Sequence, residues 1–301
     1  MELWIIITIA AAFFQNIRST VQKYLKGSMS TISATFVRFG FGVPFALLYW
    51  IVAISVTGSE YPGFTQAFWF WATIAAVAQI AATFLLLQTF SFRNFAVGTA
   101  YSRTEPAQTA LFALIFFGEK LSAGGIIAIA ISIVGVMLIS VARTTITIRS
   151  VLTSVFSEVA LLGLASGTLF GLAAVGYRAA ALAVDHEVFF IQSSTTLVFA
   201  IVLQTLIMLV WIAMREREQF SLIAKASKPA LLVGFVGATA SFGWFTAFTL
   251  QQAALVKVVA QIEMLFAFAS SVFFFKERIN KPEIIGCVLI TAGIILLVLW
   301  P

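Results

Sequence analysis

The chain has 301 residues, 61% of them hydrophobic and only 10% charged, with a mean hydropathy of +1.05. A water-soluble domain carries about 25% charged residues, so composition excludes an ordinary soluble protein. A single cysteine and a single histidine speak against a structural disulfide or a metal site. The net charge of +6 comes from short basic groups between apolar runs, which suits anionic lipid headgroups rather than nucleic acid.

About 20 helical residues cross a bilayer core, and ten apolar runs meet that length. The first half supplies Leu3–Gln22, Ile32–Val56, Ala67–Phe90, Ala96–Phe117 and Gly124–Val141. The second supplies Val159–Leu182, Val188–Ala213, Ala230–Leu250, Ala253–Phe275 and Glu283–Trp300. Helices are expected throughout, because open strands would leave peptide groups unpaired in lipid. Leu3 begins an apolar run at once, without a basic leader or a credible cleavage site, so no cleaved signal is expected.

The two halves repeat one another. Glu105 precedes Glu119, and Glu263 precedes Glu277, by the same fourteen residues, and one offset of 158 positions relates the pairs. Gly135 and Gly293, and Ala96 and Ala254, obey the same offset. The expected organisation is a first repeat over residues 3–141, a connection over 142–158 and a second repeat over 159–300. Five spans per half return the chain to the membrane upside down, which makes an all-α membrane protein of ten transmembrane helices in two inverted-topology repeats. Such repeats place a site near the midplane and point to transport.

Loop charges set an expected orientation. Lys23, Lys26, Arg93, Arg143, Arg149, Arg215, Arg217, Lys225, Lys228, Lys276, Arg278 and Lys281 share one side, and Lys120 stands alone on the other. The positive-inside rule makes the crowded side cytoplasmic and puts both termini outside.

Ionisable residues inside spans are costly, by about 2.5–3.5 kcal/mol each at a helix centre, and they mark cavities or partners. Arg38, Arg103, Glu105 and Glu263 fall in this class, with Arg18, Arg178 and Lys257 nearer helix ends, where snorkelling is the alternative. Pro106 follows Glu105; it removes an amide donor and frees the Ser102 carbonyl, so the fourth span weakens there. Glu105 and Glu263 are candidates for binding a proton or an amine, against the alternative of fixed ion pairs. Arg38 and Arg103 are candidates for holding a carboxylate, phosphate or sulfonate. Gln79 on the third span, Trp244 and Phe248 on the eighth, and Gln261 on the ninth add polar or aromatic lining candidates. Glu119 and Glu277, each just past a Phe-rich run, read as hinges or caps that accept backbone N–H bonds.

The run Phe116-Phe117-Gly118-Glu119-Lys120-Leu121, followed by Gly135-Val136-Met137-Leu138, resembles the EamA signature of the drug/metabolite transporter superfamily. Phe274-Phe275-Lys276-Glu277-Arg278-Ile279, continuing through Gly286 and Gly293, is a similar second copy, and Arg38 early in the second span also fits. The resemblance implies ten helices as two EamA-like repeats around a cavity, alternating access, no cofactor, and export of a metabolite across a bacterial inner membrane. Two features depart from the pattern: charge in the run from Tyr101 to Pro106, and the terminal orientation, since members usually keep both termini inside.

Five cations against two acids within the spans favour an anionic or zwitterionic solute such as an amino acid. A multidrug or organic-cation exporter and an anionic-lipid flippase remain as alternatives. No GxSxG, HExxH or GxxxxGK[ST] pattern occurs, so neither hydrolysis nor ATP use is expected. The expected partners are a small-molecule substrate, the lipid bilayer and a coupling proton; oligomeric state is open.

Overall fold

Glycine and proline mark two of the three breaks in the apolar runs, at Gly42–Pro44 and before Pro106. The computed structural model describes residues 2–25, 27–89, 95–141, 156–273 and 280–300. Its first half contains α1 (Leu3–Leu25), α2 (Thr31–Gly40), α3 (Val43–Thr57), α4 (Gln66–Thr89), α5 (Phe95–Ser102), α6 (Glu105–Phe117) and α7 (Ala123–Val141). The second contains α8 (Glu158–Leu182), α9 (Phe189–Arg215), α10 (Gln219–Lys225), α11 (Ser227–Leu250), α12 (Ala253–Ala260), α13 (Ile262–Phe273) and α14 (Lys281–Leu299). Two short strands, β1 (Gly63–Phe64) and β2 (Val184–Asp185), pair antiparallel with Gly63 opposite Asp185.

Among the described residues, eight helices or joined helix pairs are long and apolar enough to cross a membrane: α1, α2 with α3, α4, α7, α8, α9, α11 and α14. The other two apolar runs hold broken helices instead, α5 with α6 and α12 with α13. Leu48, Ile51, Val210 and Trp211 are about half exposed, an outer surface that hydrocarbon can solvate.

Packing divides the chain into two compact units, and each draws on both halves of the sequence. The first comprises Met1–Val77 and Gly176–Gln251, and the second Ala78–Val175 and Gln252–Pro301.

In the first unit α1 packs along α11, and α9 packs on α2, α3 and α11. Ser30 anchors the start of α2: its Oγ accepts from Ser33 N–H at 3.1 Å and donates to the Glu216 carboxylate, and its N–H reaches Gln219 Oε1 at 2.9 Å. The second apolar run, expected as one helix, breaks at Phe41 and Gly42. Pro44 opens α3, and a Cβ at Gly42 would lie 2.6 Å from the Arg38 carbonyl oxygen. The break leans on Gly234 of α11, where a Cβ would sit 2.4 Å from the Phe41 carbonyl.

In the second unit α7 packs along α14 through glycines. A Cβ at Gly135 would meet the Gly286 carbonyl oxygen at 2.8 Å, and one at Gly286 would meet the Gly135 oxygen at 2.6 Å. Backbones this close are the small-residue contact of membrane helices. Gly163 of α8 seats α5 in the same way, since a Cβ there would lie 2.0 Å from the Gly98 oxygen.

Candidate functional site

The polar residues that bear on function gather at two places, one in each unit. The second unit holds the denser group, built on its two helix breaks. After Ser102, Arg103 N–H bonds Ala100 O and Thr104 N–H bonds Tyr101 O, both at 3.2 Å, and this tight turn closes α5. Thr104 Oγ1 also donates to Tyr101 O at 2.7 Å and accepts from Gln108 Nε2 at 2.9 Å. Glu105 then opens α6 with Pro106 behind it, where the missing proline N–H costs nothing because the first turn has no intrahelical acceptor for it. The break foreseen at Pro106 is therefore present.

The counterpart break falls at Gln261, with no proline. Gln261 N–H bonds Val258 O at 3.2 Å and Gln261 O accepts from Met264 N–H at 2.9 Å, so α12 stops and α13 starts around one residue. Glu263 lies in the first turn of α13. Both repeat-related glutamates thus sit at helix N-termini, where the helix dipole favours a carboxylate.

Each glutamate is paired with a cation from the opposite sequence half. Lys257 Nζ lies 2.7 Å from Glu105 Oε1, and Arg103 Nη1 lies 3.9 Å from Glu263 Oε2. The Lys257 and Glu105 side chains are 19% and 18% exposed, whereas Arg103 is 34% exposed, so the first pair is tighter and drier. Arg103 and Gln261 are related by the repeat offset. Gln261 is 6% exposed, and both its amide atoms are buried without a hydrogen-bond partner among the described residues.

Lys257 is one of the three residues, with Arg18 and Arg178, for which position near a helix end offers snorkelling as the alternative. Its signal was position: it stands one helical turn before Gln261 and so on the same face. Gln79 is half-buried on α4, and its carbonyl accepts from Thr83 Oγ1 at 2.8 Å. Glu119 follows the left-handed Gly118 (φ 64°) at the end of α6. Ser122 Oγ accepts the Gly125 N–H at 2.9 Å and so caps α7. Glu277 lies outside the described residues.

The first unit holds Arg38, Trp244 and Phe248. Trp244 and Phe248 are buried and stack with centroids 6.4 Å apart, and Trp244 Nε1 donates to Gln15 Oε1 at 2.9 Å. Arg38, in the last turn of α2, donates from Nη2 to Ser241 Oγ at 3.3 Å. Arg178 does not snorkel: its Nη1 reaches Phe248 O at 2.6 Å and Gln251 O at 2.8 Å, capping the C-terminus of α11. An apolar cavity of about 370 Å³ lined by Trp50, Trp69 and Phe199 lies elsewhere in this unit, and on its wall Trp50 Nε1 donates to Thr195 Oγ1 at 3.0 Å.

Among the described residues no group of three His, Cys, Asp or Glu side chains could hold a metal ion. The arrangement in the second unit can exchange partners: a solute ammonium can replace Lys257 at Glu105, and a solute carboxylate can replace Glu263 at Arg103.

Comparison with known proteins gives three results. The sequence model of the EamA-like transporter family matches residues 2–141 and 157–299. A solved crystal structure, 14% identical, superposes with a TM-score of 0.71 over 100% of this chain and 99% of its own; at that identity the likeness concerns the fold. No curated protein matches the sequence.

Proposed function

The chain belongs to the EamA-like transporter family, within the drug/metabolite transporter superfamily, and is thus a multi-pass membrane transporter rather than an enzyme; from that premise we propose that it is a secondary transporter or facilitator for a small zwitterionic or anionic metabolite. The observation that carries this reading is the four-charge group of Arg103, Glu105, Lys257 and Glu263 at two helix breaks. Broken membrane helices supply half-helix termini to substrates and coupling ions in secondary transporters. Two acids and two cations balance, so the group matches a solute that carries both charges, and an amino acid is the simplest such solute.

The reading includes ten membrane-spanning segments, counting α5 with α6 and α12 with α13 as one segment each. Five per half makes the halves inverted, with alternating access around the two breaks. Glu105 and Glu263 take up and release a proton or an amine, Arg103 and Gln261 hold the solute's carboxylate, and the membrane is a bacterial inner membrane. The Lys and Arg bias puts both termini outside, and the direction is export.

The test is counterflow in proteoliposomes with radiolabelled neutral amino acids, monocarboxylates and organic cations, using wild type, Arg103→Ala and Glu105→Gln. Amino-acid counterflow that falls at least tenfold in both variants is the expected result. Counterflow of organic cations alone, or variants that move solute like wild type, would overturn the assignment.

A further inference from the structure

We propose that the first unit contains a separate site for a small oxyanion, formed by Arg38 and Arg18 over Gly237 with Ser241 as a hydroxyl partner. The two arginines are 8% and 9% exposed, and both stems rest on the same spot of α11. A Cβ at Gly237 would lie 3.2 Å from Arg38 Cγ and 3.4 Å from Arg18 Cδ. Glycine there lets two arginine stems run side by side against one helix. Guanidinium groups stay charged in proteins, so this packing stores like charge at one buried place.

Three other cations within the spans have protein partners that neutralise or cap them. Lys257 and Arg103 have glutamates, and Arg178 has two backbone carbonyls. Among the described residues Arg38 meets Ser241 Oγ at 3.3 Å, the ring of its neighbour Phe39, 4.9 Å from the guanidinium carbon, and Tyr177 within electrostatic reach, none of them a carboxylate. Its Nε is buried with no hydrogen-bond partner, and no ion pair among the described residues includes it. An uncompensated buried charge is strongly unfavourable. A carboxylate or phosphate group removes that penalty, because the guanidinium fork offers Nε and an Nη to two oxygens at once. The same group can come from a free solute or from a lipid headgroup.

This site does not depend on the transport reading, since binding is measured without transport. Thermal unfolding of the detergent-purified protein is followed while sodium phosphate replaces sodium chloride at constant ionic strength. A ligand that binds only the folded state raises the melting temperature with the logarithm of its concentration. Wild type and Arg178→Gln, which changes a half-buried arginine elsewhere, should both show the rise. Arg38→Met should lose it, and Arg38→Lys should need at least tenfold more phosphate. Without phosphate, Arg38→Met should melt no lower than wild type, because it removes a buried charge that lacks a partner.

A flat wild-type response to phosphate and to acetate, or an unchanged response in Arg38→Met, overturns the proposal. Nanodiscs separate the two sources. A phosphate response present in phosphatidylcholine and abolished in phosphatidylglycerol identifies a headgroup, and one present in both identifies a solute.

Discussion

Replacing Lys257 by Met isolates the ion pair on which the proposed site rests. With an effective dielectric of about 20, the Coulomb attraction is about 6 kcal/mol at the 2.7 Å of Lys257–Glu105 and about 4 kcal/mol at the 3.9 Å of Arg103–Glu263. Desolvation offsets several kcal/mol of each, but losing one partner of a buried pair still costs about 3–5 kcal/mol, because the other charge is stranded. Arg103, a third exposed, is screened more, so Lys257 should matter more to stability. Using about 2–4 °C per kcal/mol for chains of 150–250 residues, Lys257→Met should lower the melting temperature in detergent by about 5 °C or more. The double variant Lys257→Met/Glu105→Gln should recover over half of that loss, for a coupling of about 1–3 kcal/mol. If the penalties of the two single variants simply add in the double, the pair carries no energy and the reasoning is wrong.

Three further predictions follow from the packing. Gly163→Ala puts a Cβ 2.0 Å from the Gly98 carbonyl oxygen, so α5 must shift; the melting temperature should fall, and counterflow should fall with it. Arg178→Gln removes charge-assisted bonds to Phe248 O and Gln251 O, worth about 1.5–3 kcal/mol each, and should lower thermal stability while leaving the apparent solute affinity in counterflow within about twofold. Pro106→Ala lifts the ring clash and supplies a donor for the Ser102 carbonyl, so that α5 and α6 can join into one helix through Glu105; turnover should fall more than affinity, read as separate changes in maximal rate and half-saturation.

The extent of sequence legibility follows from how local each cause is. The repeat, eight of the apolar spans and the break before Pro106 were readable because composition, offset and proline act locally. The break at Gln261 was not, since neither proline nor glycine marks it and only the packed chain reveals it. The α2–α3 break had a signal in Gly40, Gly42 and Pro44, masked by an unbroken apolar run that averages as one span.

The charges show the same division. Depth along a span made Lys257 and Arg178 look like snorkelling residues, yet their partners lie far away in sequence, at Glu105 and at the end of α11. Counting five cations against two acids treated all of them as facing one solute. Lys257, Arg103 and Arg178 are answered by protein groups, so the count alone does not fix the charge of the solute.

The most direct test of the central claim is solvent access to position 261. In a Cys287→Ser background, which removes the chain's one cysteine, Gln261→Cys is labelled with a membrane-impermeant maleimide from each side of oriented vesicles. The account predicts labelling from both sides, slowed on both by the transported solute. Labelling from one side only, or from both with no protection by any solute that shows counterflow, would contradict it.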